Sequence, residues 1–343
     1  VSRVLNSKVL VAVVLVLGTI VAGKLVAPAA LPGIQLPAEM VPILGFRVPN
    51  TLLHTLLADI TLLILAFLAT RNMKEIPDGL QNFAEWVIEG FYGLTEDIAG
   101  DRARQWFPLV MTIFLLVLVA NWWELVPGVD SVGVVEPPHG ETGFVLAKVG
   151  PLYALTAEEV KLEYKKEGEK AGEKAGAEMG EGEAKEGEGK EGEGKEEGFP
   201  TTEDGRPIGV LVPFLRASAT DLNFTLALAL ISMAMVQYYG IQALGMGYFT
   251  KFINLKGGAM GFVVGLIETI SEFAKIISFS FRLFGNIFAG QVLLFIMAFL
   301  LPWLVPVPFY GLELFVGLIQ AFIFAVLTLA FLANAVVAHD DHH

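Results

Sequence analysis

Long apolar runs separated by short polar breaks dominate the chain, and the length and spacing of each run say what kind of element it is. Thr51 to Thr70 is apolar over the ~20 residues that cross a bilayer's hydrocarbon core, apart from His54 and Asp59. Asp59 is expected to face protein or water, most simply in a hydrogen bond between helices. After Arg71 and Lys74, the residues Pro77, Asp78 and Gly79 announce a different helix over 78–98. Its apolar residues Leu80, Phe83, Ala84, Val87, Ile88, Phe91 and Leu94 recur at three and four, which predicts an amphipathic helix lying in the interface. Phe107 to Leu125 spans again and ends on Asn121, Trp122, Trp123 and Glu124, where the paired tryptophans read as an aromatic belt. Leu222 to Met246 is the next span, entered through Arg216, Asp221 and Asn223 and left through a basic turn with Lys251 and Lys256. A long helix then runs through Glu268 and Arg282 to Leu300. Pro302, Trp303, Pro306 and Pro308 make a tight turn, and Phe309 to Val337 returns through the membrane.

This pattern predicts an all-α polytopic membrane protein with five to six membrane helices, the last two long, tilted and paired as a hairpin. Four regions follow: an N-terminal apolar segment and loop over 1–50, first spans over 51–126, an outside loop over 127–221, and the final helices over 222–343. Val9 to Gly23 is shorter than a comfortable span and is either a signal peptide or an extra span; the lack of a clean small-residue cleavage pattern favours a retained span running on through Leu25 and Val26.

Composition sharpens the class. Hydrophobic residues make up 54% of the chain, with 25 Phe and 5 Trp, and mean hydropathy is +0.61, which suits a lipid-embedded protein and excludes an ordinary soluble domain. The net charge of −13 misleads, because the stretch 158–197 alone carries 15 Glu and 8 Lys. That tract has almost nothing apolar to bury, cannot offset its ordering entropy, and is expected to be a disordered, solvated loop. With no cysteine, disulfides and thiolate metal sites are ruled out. The tail AHDDHH at 338–343 has no scaffold to hold a metal, and no metal or other cofactor is expected. Placing the N terminus inside puts Arg3, Lys8, Arg71, Lys74, Arg102, Arg104, Lys251 and Lys256 on the cytoplasmic side, the acidic tract outside and the C terminus inside.

The chemistry centres on Arg282. A cation at membrane depth costs about 3 kcal/mol or more, and a guanidinium cannot deprotonate, so Arg282 is a fixed charge and not a proton carrier. Stepping back by four and three from Arg282 reaches Ser278, Lys275, Ser271 and Glu268, and Asn286 lies four residues on. On a helix these form one polar stripe, with Phe279, Phe281, Ile277, Ile276, Phe273, Ile270 and Ile267 between them. A wet seam on a greasy helix predicts the lining of an aqueous path; an arginine that merely snorkels to the headgroups leaves the polar residues below it unexplained. On the last helix Glu313, Gln320 and Asn334 recur at multiples of seven and share a face.

The run FRLFGNIFAGQ at 281–291 closely resembles the signature of subunit a of the F-type ATP synthase. The segments PFLRASATDLNFTLALAL at 213–230 and LIQAFIFAVLTLAFL at 318–332 agree with it. The resemblance runs from about residue 51 to the end, apart from the acidic insert. It implies a stator subunit of the Fo membrane motor, partnered by a rotating c-ring, b-type peripheral stalk subunits and the bilayer of a bacterial plasma membrane, with no nucleic acid. It also implies two offset half-channels separated by the arginine. Asn286, Gln291, Glu313 and Gln320, with Glu124, Asp221 and Asn223 nearer the surface, would line the outside one; Glu268, Ser271, Lys275 and Ser278 would line the inside one.

The physics asks for the same device. A carboxylate desolvated in lipid holds its proton, whereas a cation ~4 Å away contributes roughly 4 kcal/mol at an effective dielectric near 20, about three pKa units in the other direction. In the family the positions of Gln291 and Glu313 often carry a carboxylate and a histidine. Here only Glu313 titrates, which argues against a two-residue relay and leaves Gln291 as a hydrogen-bond partner or, on the helical face opposite Arg282, a packing residue. Two rival readings remain. A secondary transporter or channel with an Arg/Glu site predicts internal pseudo-symmetry that the sequence lacks. A membrane scaffold would pair Arg282 with Glu268 or Glu313 inside one chain.

Overall fold

The computed structural model describes residues 18, 37–43, 45–138, 142–149, 152–161, 199–202, 204–252, 258–300 and 306–337. The apolar run 9–26, the tract 162–198, Lys256 and the histidine-rich tail lie outside the described residues, save Gly18. Two compact units result: residues 1–133 with 213–343, and residues 134–212.

The first unit is helical except for a short antiparallel hairpin, β1 (Met40–Ile43) and β2 (Phe46–Pro49). Pro49 ends that hairpin and caps α1 (Asn50–Thr70), its fixed φ suiting a helix entry where the missing N–H is no loss. α2 (Gly79–Ala99) stops at Gly100, whose φ of 54° suits a residue without Cβ. α3 (Ala103–Glu124) follows directly. α4 (Leu222–Leu244) is capped by Asp221, whose side chain accepts from the Asn223 N–H at 2.9 Å. A 3-10 turn, Gly245–Lys251, leads toward α5 (Gly258–Leu300) and α6 (Pro306–Ala335). Among the described residues five stretches are long and apolar enough to cross a membrane, with α2 and α3 forming one of them. α5 has 43 residues and is about 65 Å long, twice the ~30 Å hydrocarbon core, so it fits only if steeply tilted or projecting from the bilayer.

The helices share one core. Trp106, Val110, Phe114 and Val117 of α3 meet Met233 and Val236 of α4, Phe279, Leu283 and Ile287 of α5, and Phe324, Leu329 and Leu332 of α6. α5 and α6 run antiparallel, with the Phe279 ring 4.5 Å from Phe324 and 5.3 Å from Phe331. At the C-terminal end of α3, Asn121 and Trp122 donate to the Gly317 and Leu314 carbonyls of α6 at 3.2 and 3.1 Å. Gly317 admits that approach, since a Cβ there would sit 3.1 Å from Asn121 Cβ. The opposite faces stay apolar and exposed, among them Leu63, Ile64 and Phe67 of α1, as lipid contact requires. Trp122 is thus more than a belt residue: it ties two helices together. Asp59, expected in a hydrogen bond between helices, is exposed and makes none among the described residues.

The second unit falls within the stretch expected to be a loop over 127–221, and it holds strands that an all-α expectation did not include. It carries a four-stranded sheet in the order β3-β6-β4-β5: β3 (Gly133–Glu136), β4 (Thr142–Val149), β5 (Leu152–Lys161) and β6 (Ile208–Pro213). β4 pairs antiparallel with β5 (Ala147↔Ala154) and with β6 (Val145↔Ile208). Val145, Leu146, Ile208 and Val212 are its buried side chains. Gly209 lets the strands close up, because a Cβ there would collide with Val135. The first four residues of the tract expected to be disordered are ordered instead: Glu158 to Lys161 belong to β5, and the Arg206 guanidinium grips Glu158 at 2.8 and 3.2 Å. These two hydrogen bonds and the charge of Glu158 raise the pKa of Arg206.

Candidate ion-translocating site

Helical spacing along α5 sorts its polar residues into an exposed face and a buried one. Ser278, Arg282 and Asn286 are exposed, in line, beside exposed Phe281 and Ile277. Arg282 has no hydrogen bond or ion pair among the described residues. The chain thus carries an unpartnered guanidinium on the outer face of a membrane-length helix. The intrachain pairing that a scaffold needs is missing among the described residues: Glu268 pairs with Lys251, and the Glu313 carboxylate lies against Gly290 on the buried side of α5.

Below the arginine the polar stripe is knitted into a cluster. Lys251, from the turn before α5, reaches Glu268 at 2.8 Å and Glu272 at 2.9 Å, and Lys275 reaches Glu272 at 2.8 Å. The second Glu272 oxygen accepts from Gln237 of α4 at 3.1 Å, and Tyr248 Oη donates to Gln237 at 2.6 Å. Lys275 also lies 5.2 Å from the centre of the Phe331 ring. Ser271 is half-buried beside this cluster. Glu272, Gln237 and Tyr248 escape sequence reading: Glu272 lies four residues after Glu268 and three before Lys275, so the same spacing reaches it as an alternative to Ser271, and its partners come from another helix and a turn.

Above the arginine the buried side of α5 meets α6 and α3. Glu313 is buried at 9% exposure, and its carboxylate lies against Gly290 of α5. Gln320 is buried on the same face of α6, while Asn334, which shares the spacing of seven, is exposed. Gln291 is buried at 7% exposure, on the side of α5 away from Arg282 as its spacing requires. It is no mere packing residue: its Nε2 donates to Asp130 Oδ2 at 3.1 Å. Asp130 sits in the 3-10 turn Val129–Ser131 that follows α3. Burial pushes its carboxyl above the usual aspartate range, with the Gln291 hydrogen bond and the Arg216 charge pulling the other way. Glu124, at the end of α3, feels the charges of Asp130, Glu313 and Arg216. The structure therefore brings Glu124, Gln291 and Glu313 together and adds Asp130 and Gly290, which sequence reading missed because neither lies on a polar helical stripe.

Asp221 and Asn223 behave differently. Asp221 is buried and accepts from Thr51 Oγ1 of α1 at 2.9 Å as well as from the Asn223 N–H, while the Asn223 side chain is exposed. Next to them His54 accepts the Ser218 N–H on Nδ1 at 3.3 Å, and the hydroxyls of Thr55 and Ser218 close the network at 2.8 Å. This cluster fastens α1 to the entry of α4.

Comparison of sequences places this chain among related proteins. The chain is 29% identical to the ATP synthase subunit a of Helicobacter hepaticus over 294 residues, 84% of this chain and 90% of the relative. It is 28% identical to that of Gloeobacter violaceus, over 86% of each chain, and 28% identical to that of Campylobacter fetus, over 85% of this chain and 92% of the relative. The family model described as "ATP synthase A chain" matches residues 52–333, which includes every helix from α1 to the last turn of α6. With five membrane-length stretches among its described residues and an unpaired, exposed Arg282 between two polar clusters, this chain belongs to the ATP synthase A chain family.

Proposed function

We propose that this stator subunit moves protons through two offset half-channels that meet at Arg282. The observation that carries the reading is the unpartnered, exposed guanidinium on α5. In a membrane such a charge is held at a cost of about 3 kcal/mol or more, and only an anion on a neighbouring subunit offsets it. The family puts a ring of carboxylates there, on the rotating c-ring, with b-type stalk subunits holding the stator still. As a ring carboxyl passes Arg282, the cation favours its ionised form and the proton leaves; once past, the carboxylate is back in lipid and takes up another. A fixed guanidinium also blocks a continuous proton file between the two sides. In this reading Glu313 is the titrating residue of the outside half-channel, with Asn286, Gln291, Gln320 and Glu124 along it and Asp221 and Asn223 near its mouth. Glu268, Ser271, Lys275 and Ser278 line the inside one. The acidic loop is outside and both termini are cytoplasmic, in a bacterial plasma membrane.

The test uses the whole complex in sealed vesicles. Arg282→Ala abolishes ATP-driven acidification and coupled synthesis, because the ring carboxyl then keeps its proton and drifts past. Arg282→Lys fails nearly as badly, since an ammonium is more strongly hydrated and loses its proton when buried. Glu313→Gln keeps shape and hydrogen bonding and slows transport in an assembled complex. Acidification by vesicles carrying Arg282→Ala would overturn the reading.

A further inference from the structure

On the α5–α6 hairpin the outside half-channel has one titratable side chain, Glu313, and beside it an amide, Gln291. That amide holds a carboxylate from elsewhere in the fold, 161 positions away in sequence: Asp130, at 3.1 Å. Gln291 directly follows Gly290, and Gly290 is the residue on which the Glu313 carboxylate rests. The two carboxyl groups thus bracket two consecutive residues of one helix, one reached from α6 and one from the turn after α3. The second oxygen of Asp130, Oδ1, is buried and has no hydrogen-bond partner among the described residues. For a permanently ionised aspartate that is a costly arrangement. For a carboxyl that takes up and releases a proton, it is the vacant oxygen the chemistry needs. The other charged groups that face Asp130 are Arg216, whose Nη1 donates to the Pro37 carbonyl at 2.9 Å, and Glu124, which interacts with both Asp130 and Glu313.

We propose that Asp130 is the second titrating carboxyl of the outside half-channel, exchanging protons with Glu313, and that Gln291 is the positioning residue that aims it. The proposal rests on the half-channel reading above. In the inward direction a proton from the outside water adds to Asp130 Oδ1 and converts the carboxylate to the acid. The acid gives the proton up, the Glu313 carboxylate accepts it, and Asp130 is a carboxylate again, so charge and protons balance at every step. The family's carboxylate-and-histidine pair is replaced here by two carboxyls, only one of them on the hairpin. Gln291, whose amide does not titrate, holds the relay's second member.

The experiment measures passive proton flow through the membrane sector, in vesicles holding the complete complex stripped of its catalytic head, across a series of pH values. Asp130→Asn lowers the flow roughly tenfold or more, the scale of a lost general acid–base group. Asp130→Glu recovers most of it, and so does the exchange Asp130→Asn with Gln291→Glu, which returns the carboxyl to the hairpin and shifts the pH profile. Full flow in Asp130→Asn at every pH would overturn the proposal. So would slow flow that neither the glutamate nor the exchange variant recovers, since the loss would then be structural. If Asp130→Asn does not assemble, the two carboxyl-bearing variants decide, an unshifted pH profile in both counting against. Glu313→Gln is run alongside. A slow Glu313→Gln with a normal Asp130→Asn removes only the role of Asp130, whereas two normal variants remove the half-channel reading itself.

Discussion

The Glu313 carboxylate lies directly on the backbone of Gly290: a Cβ at 290 would overlap both of its oxygens and its carboxyl carbon. The Glu313 side chain alone fills the space between the two helices there, and the missing side chain at 290 is the reason a carboxyl can be buried against α5 at all. Its backbone φ is ordinary, so space alone demands glycine.

Gly290→Ala is therefore expected to keep the helix, since alanine is the better helix former, and to displace the Glu313 carboxylate. A misplacement of ~1 Å costs as much as a hundredfold where geometry sets a rate, so transport should fall by roughly one to two orders of magnitude in a complex of normal composition. Proton flow and subunit composition of the purified complex check this; wild-type flow would show that Glu313 has room elsewhere.

Glu272 is the hub of the cluster on the N-terminal half of α5, bound by Lys251, Lys275 and Gln237. Glu272→Ala leaves Lys275 without its ion pair and the Gln237 amide without its acceptor, at a cost of about 1–3 kcal/mol. Thermal unfolding of the detergent-purified chain should report the loss, and an unchanged midpoint would show the cluster to be idle.

Asp130 makes stability depend on pH in an unusual direction. Burial raises its pKa in the folded protein, so the fold holds the proton more tightly than the unfolded chain does. Its favourable contribution is present in full below the unfolded aspartate's pKa and is lost as pH rises through the raised folded value. Asp130→Asn keeps an acceptor for Gln291 and removes the charge, so it should be more stable than the parent at neutral pH and equal to it in acid. Unfolding midpoints of both proteins at the two pH values test the sign. A variant that is less stable at neutral pH would show the ionised form to be favoured. More stability with less transport is the pattern of a group kept for function.

The acidic tract is expected to be dispensable once its boundary is moved. Deleting 162–197 spares all of β5 and the Glu158–Arg206 pair, whereas a cut from residue 158 removes both. ATP-driven pumping should stay near normal in the shorter deletion. Failure of that variant to assemble would give the tract a structural role.

Much of the membrane part is legible in the sequence, because lipid allows few solutions. A backbone in hydrocarbon must bond to itself, so an apolar run of span length becomes a helix whatever its neighbours do. The three-four ladder from Glu268 to Arg282 likewise fixes which polar residues share a strip of α5, and Arg282 stands out because charge in lipid is expensive. The sheet over 133–213 was harder to read. Its apolar alternations, such as Thr142 to Val149, are short, and β6 lies across an acidic tract from its partner β4. Only tertiary structure decided which polar groups meet. Gln291 donating to Asp130, Glu313 resting on Gly290, and Glu272 gathering Lys251, Lys275 and Gln237 are contacts between elements distant in sequence. Periodicity along one helix carries no information about them: it places a side chain on a face, and what lies across that face depends on how the helices pack.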